Sequence, residues 1–183
     1  MDLGALPEQL KPVVAFHGHL CPGLLIGYRA AQAASQALDL GKSEDEELVT
    51  IAENNSCSVD AFQQMLSTTF GKGNLIWRDY GKQAFTVIDR QKNRAVRVSF
   101  IGDRLKHKGS DGNVDRQAFA KELLSAPQES LFKVEEIDVE PPAEAVIEKS
   151  IICARCGEPT QASRTVELDG KLLCRPCAAE VSA

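Results

Sequence analysis

Residues 16–34 read FHGHLCPGLLIGYRAAQAA and join a histidine- and cysteine-containing motif directly to a run typical of a helix. Pro22 suits the first turn of a helix, because its missing N–H would have had no partner there. The pattern therefore predicts a helix over residues 22–38, with Cys21 at its cap. Small residues give this helix a face that can pack closely against a neighbour: Gly27, Ala30, Ala31 and Ala34.

The motif in front of this helix has the chemistry of a metal site. A thiol at a helix N-terminus feels the positive end of the helix dipole, which favours the thiolate. In an extended chain the side chains at i, i+2 and i+4 point the same way, so we expect His17, His19 and Cys21 to share one face. Imidazole and thiolate groups are ligands that zinc takes. The alternative is that these residues bind no metal and only pack in the core or cap the helix.

A second cysteine stands in a similar position. Cys57 precedes a predicted helix over residues 58–69, and Asp60 lies one turn further on. If the two helix N-termini converge, Cys57 joins the first motif around one transition-metal ion, for which zinc is our first choice. Asp60 would then orient a histidine or act as a base toward bound water, so Cys21, Cys57 and Asp60 are the candidate catalytic residues. The alternative is a buried thiol followed by an ordinary first-turn carboxylate.

Four further cysteines form two C-x2-C pairs near the end of the chain. Cys153 and Cys156 are separated from Cys174 and Cys177 by residues 157–173, a spacing typical of a zinc site with four thiolates. Residues 164–173 predict a β-hairpin with Asp169-Gly170 at its turn. We therefore predict a zinc ribbon whose ion is structural, because four thiolates leave no open coordination position. An iron–sulfur centre and a thiol–disulfide pair are the alternatives.

Composition places limits on the class of protein. The chain has 183 residues, of which 43% are hydrophobic, and no run approaches the length of a membrane span. The first residues lack the basic and apolar regions of a signal peptide, so we expect a cytoplasmic protein whose six cysteines serve metal or redox chemistry rather than disulfides.

The charge balance disfavours nucleic acid as a partner. The net charge is −5, and residues 141–183 account for −1 of it with six acidic and five basic side chains, which leaves −4 for residues 1–140. Neither part has the basic surface that binding to a phosphate backbone requires.

The order of predicted elements indicates an α+β fold. Helices are predicted first, followed by a sheet of mixed pieces. The predicted elements are a helix at 7–15, a strand at 48–52, a hairpin at 84–89 and 95–100, a helix at 115–125 with Asp115 as its cap, and a strand at 131–139. Pro141-Pro142 breaks this pattern, so we divide the chain into a domain at 1–140, a linker at 141–150 and the ribbon at 151–183.

Four motifs in this order resemble those of the formylmethanofuran dehydrogenase E-subunit family. They are His17-Gly18-His19-Leu20-Cys21-Pro22-Gly23, Cys57-Ser58-Val59-Asp60-Ala61, Gly71-Lys72-Gly73-Asn74-Leu75 and Asp79-Tyr80-Gly81-Lys82. The resemblance covers residues 16–138 and implies a thioredoxin-like mixed β-sheet flanked by helices, with the small zinc ribbon after it. It also implies a homodimer and a cleft lined by the histidines and cysteines of these motifs, with Asp60.

The resemblance implies roles for two lysines and shows one departure. Lys72 and Lys82 are expected near the cleft, where they would bind a cofactor or an anionic substrate. The alternative is that both lysines lie in ordinary solvated turns. Where many members have Cys-Thr before the Gly-Lys turn, this chain has Thr68-Thr69, so a further thiol is absent. His107 lies among polar residues and is predicted to be a surface residue without a role.

Three functions follow from these observations. The first is a metal-binding accessory subunit, or a stand-alone metalloprotein, linked to molybdenum or tungsten formylmethanofuran dehydrogenase and so to methanogenesis-related one-carbon and redox metabolism. The second is an independent thiol-redox or zinc-dependent enzyme that uses the cleft. The third is a zinc-ribbon regulator or adaptor.

Overall fold

A computed structural model describes residues 6–103, 107–109 and 112–182. The chain divides into two compact units, the first ending at Glu144 and the second beginning at Ala145. This boundary lies inside the stretch that we interpret as a linker, which is irregular rather than helical over residues 141–149. The first four residues, on which the prediction about a signal peptide depends, lie outside the described residues.

The first unit contains five helices among its described residues. They are α1 (Leu10–His17), α2 (Pro22–Leu38), α3 (Ser58–Leu66), α4 (Arg116–Ser125) and α5 (Gln128–Leu131). Gly18 ends α1 with a left-handed backbone, φ +90°, and Ser67 ends α3 in the same way with φ +59°. The predicted helix at 58–69 is therefore shorter than expected. Among the described residues, no helix is both long and apolar enough to cross a membrane.

Five strands of this unit form one mixed sheet. They are β1 (Leu48–Ala52), β2 (Leu75–Trp77), β3 (Ala84–Asp89), β4 (Arg94–Phe100) and β5 (Phe132–Ile137). Their order is β2-β1-β3-β4-β5; β1 and β2 run parallel and the other neighbours antiparallel. The α+β class with a mixed sheet is thus confirmed.

Alternation along the strands separates two apolar clusters. Phe85, Val87, Val96 and Val98 belong to the main core with the helices, and the ring of Phe62 on α3 stacks on Phe85 at 4.3 Å. The intervening residues Val49, Ile51, Ile88 and Ala95 form a second buried cluster, as the period of two along a strand requires.

The small-residue face of α2 packs within the subunit. A Cβ built on Gly27 would lie 2.1 Å from the backbone oxygen of Ser58, so α2 and the start of α3 approach as closely as a bare glycine allows. Ala30, Ala31 and Ala34 are fully buried in the main core. This face is therefore not available as a subunit contact, and the homodimer stays a prediction that must use another surface.

The second unit is built from two hairpins and a helix. Its elements are β6 (Ser150–Ile152), β7 (Pro159–Gln161), a 3-10 turn (Ala162–Arg164), β8 (Thr165–Leu168), β9 (Lys171–Cys174) and α6 (Arg175–Ser182). Asp169 and Gly170 both have positive φ, at 49° and 71°, which confirms the predicted turn between β8 and β9.

Candidate metal centres

The four C-terminal cysteines converge on one point. The sulfur atoms of Cys153, Cys156, Cys174 and Cys177 all lie within 4.8 Å of one another. Gly157 supplies the left-handed residue of the first knuckle, φ +76°, and its N–H donates to the carbonyl of Cys153. Four thiolates at this separation fit a tetrahedral zinc ion.

The surroundings of Cys153 favour its thiolate, which is the form that ligates zinc. Backbone N–H groups of Cys156, Cys174 and Arg155 lower the pKa of the Cys153 thiol to about 6. By contrast, the neighbouring Cys174 thiol, together with burial, raises the pKa of Cys177 to about 12. Four thiols this close cannot all ionise without a cation, so an ion is what makes four thiolates compatible.

The second centre is assembled by three helix ends of the first unit. His17 is the last residue of α1, Cys21 caps α2, and Cys57 is the residue before α3. The Cys21 sulfur accepts a hydrogen bond from the backbone N–H of Leu24 at 3.4 Å. The close approach of α2 and α3 at Gly27 brings Cys57 beside Cys21, although the two lie far apart in the sequence.

The ligand atoms of this second centre also cluster. His17, Cys21 and Cys57 each present one within 4.8 Å of the others, and Cys21 Sγ lies 3.9 Å from His17 Nε2. Ligands on a tetrahedral zinc ion at ~2.0–2.3 Å stand roughly 3.3–3.8 Å apart. The geometry is therefore close to that of a bound ion.

His19 does not join this cluster. The segment is not extended, because α1 continues to His17 and Gly18 turns the chain. The expectation that alternation puts the motif on one face was therefore wrong. The exposed ring of His19 lies against that of His17, with ring centroids 4.5 Å apart.

Asp60 defines the orientation of His17. Its Oδ2 lies 2.7 Å from His17 Nδ1, and its Oδ1 accepts a hydrogen bond from Gln63 at 3.2 Å. With Nδ1–H donating to the carboxylate, the lone pair of Nε2 faces Cys21. This is the orienting contact with a histidine that the sequence suggested for Asp60.

Loss of this contact should weaken metal binding without removing a ligand. We expect Asp60→Asn to lower the metal affinity of the N-terminal centre about 10- to 100-fold, because the amide is a poorer acceptor for the imidazole N–H. Competition with a chromophoric chelator measures the change. Gln63→Ala is the control, since Gln63 bonds to the Asp60 oxygen that does not contact His17, and it should have a much smaller effect. Equal affinity in Asp60→Asn and the parent would contradict the assigned role.

The thiol of Cys57 differs from the expectation based on the helix dipole. Burial and the adjoining Cys21 thiol raise its pKa above the ordinary value. The dipole of α3, a helix of nine residues, is therefore outweighed by desolvation and by the neighbouring sulfur. As in the ribbon, a bound cation is what would make the thiolate form favourable here.

A polar network holds the segment before Cys57. The buried amide of Asn54 donates to the carbonyl of Lys82 at 2.8 Å and accepts from the backbone N–H of Ser56 at 3.1 Å. Gln83 donates to the Ser56 hydroxyl at 2.9 Å and accepts from Ser58 at 3.0 Å. These bonds fix the turn into α3 and so the position of the cysteine that precedes it.

The two lysines lie outside the cluster of ligand atoms. The ammonium group of Lys72 donates to the backbone carbonyls of Ser43, Glu44 and Asp45 at 3.0–3.4 Å. The side chain of Lys82 is exposed, and its charge helps to lower the pKa of Glu53 after the larger effect of Arg97. A cofactor-binding role for these lysines stays a prediction.

Thr68 and His107 both make side-chain contacts inside the first unit. Thr68, in the position of the missing thiol, is fully buried and donates to the hydroxyl of Thr50 at 2.8 Å. His107 is more than a bare surface residue, because its ring pairs with the carboxylate of Glu122 and lies 5.5 Å from the ring of Phe119.

Sequence profiles of known families match both units. Residues 16–133 match the family described as FmdE, molybdenum formylmethanofuran dehydrogenase operon, and residues 148–183 match the prokaryotic DksA/TraR C4-type zinc finger. The first match covers more than half of the chain, so the chain belongs to the FmdE family. It is a metal-binding FmdE-like protein whose C-terminal zinc-finger domain holds a structural zinc ion.

Relatives of this two-part chain are known. A probable S-adenosyl-L-methionine-binding protein from Archaeoglobus fulgidus is 31% identical over 199 aligned residues, which include 94% of this chain and 53% of the relative. The chain thus spans about half the length of the curated relative that it matches. An FmdE-like protein from Syntrophus aciditrophicus, described by its similarity to tungsten formylmethanofuran dehydrogenase, has a similar fold, with a TM-score of 0.70, 24% identity and coverage of 96% of this chain and 93% of that one.

Proposed function

We propose that the N-terminal domain binds a second transition-metal ion, best matched by zinc, through His17, Cys21 and Cys57, and that this centre is reactive. The observation that carries the proposal is the convergence of these three ligand atoms within 4.8 Å, with His17 oriented by Asp60. Reactive zinc sites commonly have three protein ligands and a fourth position for water or substrate, whereas structural sites have four.

Each residue has a distinct role in this proposal. Cys21 and Cys57 supply thiolates, and His17 supplies Nε2 as a neutral ligand. Asp60 keeps the Nδ1 proton on the imidazole and stabilises charge on the ring. When bound, the ion would polarise a water, thiol or carbonyl oxygen held at its fourth position. Cys57 also lines a large cavity, from which a small molecule can reach the centre.

Cobalt substitution tests the centre directly. We expect the cobalt-loaded protein to show thiolate-to-cobalt absorption from two sites, one in the ribbon and one in the N-terminal domain. Cys57→Ser should remove one of the two N-terminal Co–S bonds and weaken that absorption by about half. His17→Ala should lower the affinity of the same site, since it removes one of three ligands.

The ribbon provides the internal control. Its four Co–S bonds should be unchanged in Cys57→Ser and His17→Ala, because none of its ligands is altered. If the parent binds only one cobalt ion per chain, or if Cys57→Ser leaves the whole spectrum unchanged, the N-terminal centre does not exist as proposed.

The comparisons favour a second candidate, an accessory subunit of a molybdenum or tungsten formylmethanofuran dehydrogenase. The support is the description of the matching family and that of the similar Syntrophus protein. Affinity purification of the tagged chain from its native cell tests it. Recovery of a molybdenum- or tungsten-containing oxidoreductase in fixed proportion supports it, and its absence contradicts it. The name of the archaeal relative adds S-adenosyl-L-methionine as a candidate ligand.

A further inference from the structure

A cavity of about 970 Å³ opens beside the proposed metal centre. Its walls come from the first turn of α2, the segment before α3, the end of β4 and the beginning of α4. A cavity of this size takes a small organic molecule. Neither the ribbon nor the cluster of ligand atoms accounts for it.

The cavity lies next to the thiols at Gly23, a residue without a side chain. Gly23 and Cys57 both line it. A Cβ built on Gly23 would lie 3.3 Å from Cys57 Cβ and 3.9 Å from the sulfur atoms of Cys21 and Cys57. Because Gly23 has no side chain, nothing from that residue stands between the cavity and the two sulfurs.

Part of the cavity lining is apolar. Ile26, Phe100 and Phe119 line it, and the two phenylalanine rings meet edge to face with centroids 6.4 Å apart. Gly102 leaves room for the ring of Phe100, because a Cβ there would come within 2.6 Å of it. A ligand therefore buries an apolar or aromatic body against this part of the lining.

One cation on the cavity lining has no partner in the described part of the chain. Arg116 is the first residue of α4, is exposed and lines the cavity; within residues 6–103, 107–109 and 112–182, no hydrogen bond or ion pair engages its guanidinium group. Asp103 lines the same cavity. The guanidinium group of Arg116 can pair with an anionic group, and the carboxylate of Asp103 repels further negative charge, so the lining favours a ligand with a single anionic group over a polyanion.

We propose that this cavity binds a small molecule with an apolar body and one anionic group, a carboxylate or a phosphate monoester. The anionic group pairs with Arg116, the body packs on Phe100 and Phe119, and the opposite end reaches Cys57. The inference names the substrate class of the proposed metal centre and rests on that function, although the cavity itself does not depend on a bound metal.

Two alkylating reagents of nearly equal size test the charge preference. Iodoacetate and iodoacetamide react in the same way: the cysteine sulfur displaces iodide from carbon. Their relative rates at Cys57 are measured by peptide mass spectrometry on the full chain with its N-terminal centre free of metal, and are normalised to glutathione. These rates report the electrostatic potential at the thiol. We expect Arg116→Gln to lower the iodoacetate-to-iodoacetamide ratio at Cys57 about threefold, because it removes the positive charge that attracts the anionic reagent.

The same helix offers a matched control. Lys121→Gln removes an equal charge from an exposed position of α4 that does not line the cavity, and it should leave the ratio unchanged. Equal ratios in the parent and Arg116→Gln would overturn the proposal. So would a failure of both reagents to modify Cys57, since the cavity then does not reach the thiol.

Protection against iodoacetamide separates the two anion sources. Hexanoate, hexyl phosphate and hexanol share an apolar chain and differ in the head group. Stronger protection of Cys57 by hexanoate or by hexyl phosphate supports the proposal and identifies the head group, whereas equal protection by hexanol contradicts it. Cobalt spectra of Arg116→Gln distinguish this proposal from that of the metal centre. If the variant keeps the N-terminal cobalt absorption and its iodoacetate-to-iodoacetamide ratio is unchanged, the cavity assignment is wrong and the metal centre stands.

Discussion

Cys153→Ala is expected to release the ribbon zinc, one ion per chain, and to unfold residues 150–182. The unit that begins at Ala145 has a buried apolar cluster of only four residues, two of which are cysteines of the zinc site: Cys153, Leu173, Cys177 and Ala178. Such a core cannot offset the loss of chain entropy, and a structural zinc ion supplies about 10–16 kcal/mol in peptides of this kind. Zinc analysis and hydrogen exchange of the ribbon amides measure both effects.

The first unit should survive this change, because its core contains none of the four ribbon cysteines. Ser163→Ala, an exposed position in the same unit as Cys153, is the control and should retain zinc and protected amides. Full zinc content in Cys153→Ala would show that the four-thiolate assignment is wrong. Loss of amide protection in the first unit would show that its fold depends on the ribbon.

Gly27→Ala is expected to destabilise the first unit by about 3 kcal/mol or more and to disrupt its metal centre. The added methyl group would lie 2.1 Å from the carbonyl oxygen of Ser58, and a backbone atom cannot rotate away as a side chain can. Relief requires α2 and α3 to separate, which moves Cys57 away from Cys21. Chemical denaturation gives the stability, and cobalt absorption gives the state of the centre.

Gly41→Ala is the matched control, since a Cβ at Gly41 meets nothing within 4 Å. It should leave both the stability and the N-terminal cobalt spectrum close to those of the parent. A Gly27→Ala protein with parental stability would show that the two helices can move apart at low cost. Unchanged cobalt absorption in that variant would show that their separation does not position Cys57.

The sequence predicted best those features whose cause is local. The hairpin of the ribbon follows from Asp169-Gly170, because both residues adopt the positive φ that a tight turn requires. The helix after Cys21 begins at Pro22, and its cap accepts a backbone N–H as expected. Asp115 likewise caps α4, accepting from the N–H groups of Gln117 and Ala118.

A prediction from local pattern was wrong where α1 extends further along the chain than its sequence indicated. The prediction for His19 assumed an extended chain before the helix. Instead, α1 includes His17 and ends at Gly18, which leaves His19 exposed. Adding or removing one helical turn changes the free energy only slightly, so the tertiary packing of α1 decides where the helix ends.

By itself, the sequence determined the ribbon, the caps of α2 and α4 and the identity of the residues with ligand chemistry, because these depend on spacing and on contacts within a few residues. Only the tertiary structure decided which of those residues meet. Cys57 reaches Cys21 and His17 because α2 and α3 touch at Gly27. Likewise, Arg116 shares a cavity with Cys57 because β4 and α4 close around the beginning of α2. Such contacts join distant segments through backbone separation and side-chain shape, which no local pattern in the chain specifies.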